Sequence, residues 1–438
     1  MRTTTRKMWA AAAGVTGIAL LVAACSSGTD EPSGDGSSNG GGDSGEKITL
    51  TVSTFNEFGF ADLYKEYEDL HPNITIDAKK AATSDDARAA LTTALSAGSG
   101  AADIEAADVD WMPELIEAAD GFADLSSDSV EGRWPDWKTQ QATTPDGKLI
   151  GYGTDSGPEA ICYRSDLFEA AGLPTDRDEV AQLFGGDDAT WEKFFQVGDQ
   201  FTAAGTGVGF FDSAAAVFQG MVNQLDAPYE DPQTDEITVV DDGADVKALY
   251  DQLLAHVDSS AHLTQWSDDW NAAFQSDGFA TMLCPAWMTQ IIAGNADGVD
   301  GWDIADVFPG GGGNWGGSFL LVPAQGQHIE EAKALADWLT APEQAAKVFA
   351  TYGNFPSQVE AQTDSQVTSK TDAFFNDAPT GQIFANRFAG VTMTPYKGSH
   401  YFAIQNAMAQ AIGRVDVDKT DDAASSWTKF LDAVRQLG

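Results

Sequence analysis

Trp287 and Trp315 carry the most specific chemical signal in the chain. Trp287 follows a short apolar run stopped by Pro285, in ATMLCPAWM, and Trp315 stands in FPGGGGNWGGSFLLVP with four glycines before it and two after it. A strand over 281–284 does not run on through Pro285, so the Trp287 indole is presented at a strand end. The glycines around Trp315 let the backbone turn freely and leave one ring face uncovered. Two aromatic faces on one returning segment, 280–323, make a flat platform, and the ligands with matching flat C–H faces are sugars. The alternative for each is a core tryptophan, since large aromatics are mostly well buried.

Catalytic chemistry finds less support. With 67 Asp and Glu residues a carboxylate pair of the glycosidase kind is always available by chance, but no acid lies in a catalytic motif, so an enzyme is not expected. The five histidines show neither HExxH nor paired ligand spacing, and no metal is expected. The glycine run at 310–313 meets no lysine before Lys333, which rules out a phosphate cradle, and no cofactor is implied. A nucleophilic cysteine needs an activating histidine, and neither Cys162 nor Cys284 has one nearby in sequence. Both lie in apolar strand-like runs, AICYR and TMLCP; a disulfide between them and two buried free thiols are both open.

The elements around these residues read as alternating strands and helices. Ile48, Leu50 and Val52 alternate with polar residues, as in a strand with one face buried, and the strand ends at Asn56 and Glu57. Leu63, Tyr64, Tyr67 and Leu70 then recur at helical spacing up to His71 and Pro72. A second strand begins at Ile74, a second helix covers 87–95, and a third strand over 103–109 ends at Asp110 and Trp111. Polar groups at the carboxyl ends of parallel strands face the crevice where open α/β sheets bind ligands. In 149–168 a strand is broken at Gly157 and Pro158 and resumes, which reads as a crossing between two lobes with Asp155 at the cleft. Helical spacing recurs over 191–201, 244–254, 266–274, 329–339 and 424–437.

A chain of 438 residues is long enough for two domains of ordinary size. Its 24 Lys and Arg against 67 acids give a formal charge of −43, which argues against nucleic acid and anionic lipid as partners and favours a soluble monomer. Arg2, Arg6 and Lys7 precede an uncharged run that ends in Val22, Ala23, Ala24 and Cys25, the pattern of a secretory signal peptide over 1–24. Thirteen of the twenty-one residues over 26–46 are Gly or Ser, a flexible tether.

Taken together, these stretches resemble the family 1 extracellular solute-binding lipoproteins of bacterial carbohydrate ABC importers. The residues that carry the resemblance are LVAAC at 21–25, STFNEFGF at 53–60, GAADIEAADVDWM at 100–112, ICYRSDLFEAAGLPTD at 161–176, CPAWM at 284–288 and NWGGSFLLVPAQG at 314–326. The branch they look most like takes up cello-oligosaccharides and related β-linked oligosaccharides; Phe60 departs from it, where Tyr is expected. The resemblance implies a two-lobed α/β fold like that of maltose-binding protein, closing on an oligosaccharide and serving the membrane permease subunits of an importer. The implied lobes are 47–154 plus 303–352 and 155–302 plus 353–438. It also implies a lipid on Cys25 that holds the protein at the extracellular face of the membrane. The stacking aromatics fall on Trp287 and Trp315, and the groups for sugar hydroxyls on Asn56, Glu57, Asp110 and Asp155. Trp111, Phe211 and Trp270 are further candidates, in the core or lining the cleft.

Overall fold

The alternation over 48–52 builds the first strand of the computed structural model, which describes residues 46–438. Cys25, the basic head before it and the Gly/Ser run up to 45 lie outside the described residues. The strands among the described residues are β1 (Ile48–Phe55), β2 (Ile74–Ala81), β3 (Ile104–Asp108), β4 (Gly151–Gly153), β5 (Asp155–Ser156), β6 (Glu159–Arg164), β7 (Gly209–Phe211), β8 (Phe279–Pro285), β9 (Trp302–Ala305), β10 (Ser318–Leu321) and β11 (Phe355–Pro356).

One lobe is built on a five-stranded sheet in the order β2-β1-β3-β10-β4. β1 runs parallel to β2 and β3, so the residues that follow β1 and β3 leave the sheet at the same edge. β10 returns antiparallel between β3 and β4. Leu50, Val52, Ile104 and Leu320 are fully buried between this sheet and its helices, among them Ala61–Leu70 and Ile329–Leu339. The helix expected over 87–95 spans Ser84–Ala97, a turn longer at its start because the Thr83 hydroxyl caps it by accepting from the Asp86 amide, and Gly98 ends it in left-handed conformation.

The other lobe is built on the sheet β7-β8-β6-β9. All six residues of β6 and all seven of β8 are buried, because helices cover both faces of this sheet. Ile161 and Tyr163 point to one core, and Ala160 and Cys162 to the other. Cys284 shares the second core and forms a disulfide with Cys162, closing the alternatives the sequence leaves open. β9 pairs with β6 from Ala305 opposite Ile161 to Trp302 opposite Arg164. Residues 303–305 therefore belong to this sheet, whereas the boundary read from sequence hands the chain back to the first lobe at 303. The strand needs β6 as its hydrogen-bonding partner, and the chain leaves the lobe only after it.

Three stretches join the lobes. β5 pairs antiparallel with β11, and Pro158 bridges Asn314. The Gly157 amide donates to the Asn314 side chain at 3.0 Å, and the Trp315 amide donates to the Gly157 carbonyl at 2.8 Å. A Cβ on Gly157 would come within 1.8 Å of the Trp315 carbonyl oxygen, so only glycine lets these two stretches run this close. The break at Gly157 and Pro158 thus marks a crossing, as expected from sequence.

Candidate functional site

Between the lobes lies a cavity of about 420 Å³. Its wall on the first lobe comes from the parallel strand ends: Phe55, Asn56 and Glu57 at the end of β1, and Asp108 and Asp110 at the end of β3. The second lobe supplies Gln265, Trp266, Trp287, Gln290 and Ile291, and the crossings supply Asp155, Trp315, Tyr352 and Asn354. Six of the nine residues singled out in the sequence (Asn56, Glu57, Asp110, Asp155, Trp287 and Trp315) are brought together here.

The polar residues are held by their own neighbours. Asn56 takes a left-handed backbone, φ 47°, a conformation asparagine tolerates better than most residues and one that turns the chain sharply out of β1. Glu57 accepts from the Gly59 amide at 3.1 Å and pairs with Lys80 at 3.0 Å, both groups being about half exposed. The Asp155 Oδ1 accepts from the Ser318 amide at 2.9 Å and the Thr154 hydroxyl at 2.7 Å, which ties one carboxylate oxygen to the crossing. Asp110 pairs with Lys397. Burial, then the neighbouring Asp110 carboxylate, push the Asp108 carboxyl up to about 7, against the pull of Lys397. None of the described residues lining the cavity is Lys or Arg, while five are Asp or Glu, which disfavours an anionic ligand.

The tryptophans form a connected group. Trp287 Nε1 donates to the Trp315 carbonyl at 2.9 Å, and the two rings meet edge to face with centroids 5.6 Å apart. The indole donor is thereby satisfied within the protein and the ring is left to make contacts through its face. Trp266 lies 6.2 Å from Trp287 with planes only 19° apart, an offset near-parallel pair. The sequence reading put Trp266 inside a helix over 266–274. The helix instead spans Asp268–Ala273, because the Ser267 hydroxyl caps it by accepting from the Trp270 amide, so Trp266 stands before the helix. Ser267 followed by two acids is a start signal in the sequence that would have placed it there.

Three of the sequence candidates are not brought to the cavity. Trp111 is buried in the core of the first lobe beside Phe55, and Phe211 in the core of the second beside Phe194. Trp270 is fully buried, with Nε1 donating to Asp212 at 2.8 Å. A position at a strand end does not fix which way a side chain turns: the 3-10 turn Val109–Trp111 aims Asp110 at the cavity and Trp111 at the core.

The sequence profile of the bacterial extracellular solute-binding proteins matches residues 62–376. The chain belongs to that family. A solved extracellular solute-binding protein of family 1 shares 46% identity with this one, covering 89% of this chain and 99% of its own, with a TM-score of 0.79. The ABC transporter associated binding protein of B. animalis subsp. lactis Bl-04, solved with beta-1,6-galactobiose, is 18% identical over 89% of this chain and 97% of its own, at a TM-score of 0.75. Maltose-bound MalE3 of T. maritima is 14% identical over 89% and 100%, at 0.68. No curated protein sequence matches the chain. The solute-binding protein thus has the maltose-binding-protein-like two-lobed fold expected of it. Its relatives are substrate-binding proteins and not enzymes, which sets the glycosidase alternative aside. Among the described residues of the solute-binding protein, no helix is long and apolar enough to cross a membrane.

Proposed function

We propose that this solute-binding protein captures an uncharged oligosaccharide in the cavity between its lobes and delivers it to the permease subunits of an ABC importer. The observation that carries the reading is the meeting of Trp266, Trp287 and Trp315 with strand-end amide and carboxylate groups in one cavity. Ring faces supply affinity for C–H faces, while Asn56, Glu57, Asp110 and Asp155 replace the water that sugar hydroxyls lose and so select among sugars. A cavity of about 420 Å³ lies within the range usual for small-molecule ligands. β-linked glucose oligomers such as cellobiose are the favoured class, on the resemblance carried by NEFG, CYRSDLFEAAGLPTD and CPAWM. The galactobiose-bound relative supports a β-linked ligand of this size.

In this reading residues 47–154 with 306–352 form one lobe, residues 155–305 with 353–438 form the other, and the pair closes on the ligand about the β5 and β11 crossing. The protein works as a monomer at the extracellular face of the membrane, held by lipid on Cys25. Calorimetric titration with cellobiose, cellotriose and β-1,6-galactobiose, with a glucuronate-containing disaccharide as control, tests the reading. Saturable binding of a neutral sugar and none of the uronate is expected. Heat from the uronate alone, or from none of the four, would contradict it.

A further inference from the structure

Trp266 is 44% exposed, yet its backbone is left-handed at φ 70°. A bulky side chain pays for that conformation with strain, so a turn of this kind persists only where the surroundings hold it. The residues on either side show what holds it. Gln265 Nε2 and Trp270 Nε1 both donate to one atom, Asp212 Oδ2, each at 2.8 Å. Asp212 is fully buried, follows directly on β7 and does not line the cavity. Donors to a buried carboxylate oxygen offset part of its desolvation, and bonds to a charged acceptor are the stronger kind. Trp270 in turn packs against Trp266 with centroids 5.3 Å apart.

We propose that Asp212 is a positioning residue for ligand binding: by gripping Gln265 and Trp270 across the turn, it sets the Trp266 ring near-parallel to Trp287. β7 pairs with β8, whose end leads into Trp287, so one sheet carries both the anchor of Trp266 and the tryptophan it must align with. The proposal rests on the sugar reading above for what the aligned rings hold.

The test is a double-variant cycle read by cellotriose titration, together with amide hydrogen exchange of the ligand-free protein. Asp212→Ala should weaken cellotriose binding about tenfold, as Trp266→Ala does, since an aromatic contact is worth roughly that factor. The double variant should bind no more weakly than Trp266→Ala alone, because Asp212 acts through that ring. Asp212→Asn, whose amide oxygen can accept the same two bonds, should stay within about threefold of the parent. In exchange, Asp212→Ala should deprotect amides over 265–271 while the β6 and β8 amides stay protected. If Asp212→Ala does not fold, Trp270→Phe removes one of the two donors and should give the same pattern in weaker form. Multiplying losses in the double variant, or unchanged exchange over 265–271, would overturn the proposal. If the parent binds no sugar, the sugar reading fails, and the exchange result alone still decides whether Asp212 holds the turn.

Discussion

Lys397 forms an ion pair with Asp110 across the two lobes. Asp110 stands in the turn Val109–Trp111 that follows β3 in the first lobe. Lys397 belongs to a segment anchored on the second, where the Gly398 and His400 amides donate to the buried Glu230 and the Tyr396 hydroxyl donates to Asp235. Arg88 of the first lobe sits 4.4 Å over the Phe402 ring a few residues on. Both contacts cross from one lobe to the other, so under the closure proposed above they favour the state that encloses the ligand.

Lys397→Met should therefore loosen that state. We expect the ligand-free variant to have a larger radius of gyration by small-angle scattering and cellotriose affinity lower by about tenfold, on the scale of a lost partly buried ion pair. A variant with the parent's radius and affinity would show that the pair does not bias closure.

Asp108 gives a pH dependence with a definite sign. Its folded carboxyl titrates at about 7, above the ordinary aspartate value, so the folded state binds the proton more tightly than the unfolded one. Its contribution to stability is fully present below the unfolded value near 4 and is lost as pH rises to about 7. Asp108→Asn, which can still accept from the Asp110 amide, should melt with less loss between pH 5 and pH 8 than the parent, and calorimetric scans at about those two pH values check it. Equal losses in both proteins would exclude this carboxyl as the source.

The Cys162–Cys284 bond joins residues 122 apart in sequence, and on the loop-entropy account it restrains the unfolded chain by about 4 to 5 kcal/mol. Replacing both cysteines with alanine should lower Tm by about 5 °C for a chain of this size, leaving sugar affinity near that of the parent because neither residue lines the cavity. Thiol titration of the denatured, unreduced protein gives a direct check, with no free thiol expected from this pair.

Anchoring is tested at Cys25. Cys25→Ala should move the protein from the membrane fraction to the medium or leave its leader uncleaved; unchanged fractionation with lipid labelling would contradict the lipoprotein reading.

Much of this arrangement was legible in the sequence because local signals matched the long-range ones. The alternation over 48–52 marks β1, Gly157 and Pro158 mark the crossing, and Pro285 and the glycines around Trp315 mark two of the three cavity tryptophans. What was not legible came from side-chain direction and distant segments. Trp111 and Asp110 are neighbours in one turn with opposite orientations, and periodicity does not distinguish them. Lys397 and Phe402 reach the first lobe from near the chain's end, at positions without a local motif. Trp266 was hidden by a helical pattern that runs on through its position, although the Ser267 cap excludes it from the helix.

The central claim, that the tryptophan group holds a sugar, is tested most directly at Trp266. It is the exposed member of the group, so its truncation should disturb the ligand-free protein least. Isothermal titration of the parent and Trp266→Ala with cellotriose, paired with melting of both proteins without ligand, separates a binding role from a structural one. The account predicts binding weakened by about tenfold with Tm changed by no more than about 2 °C. Parent-like affinity in Trp266→Ala, or a fall in Tm without a fall in affinity, would contradict it.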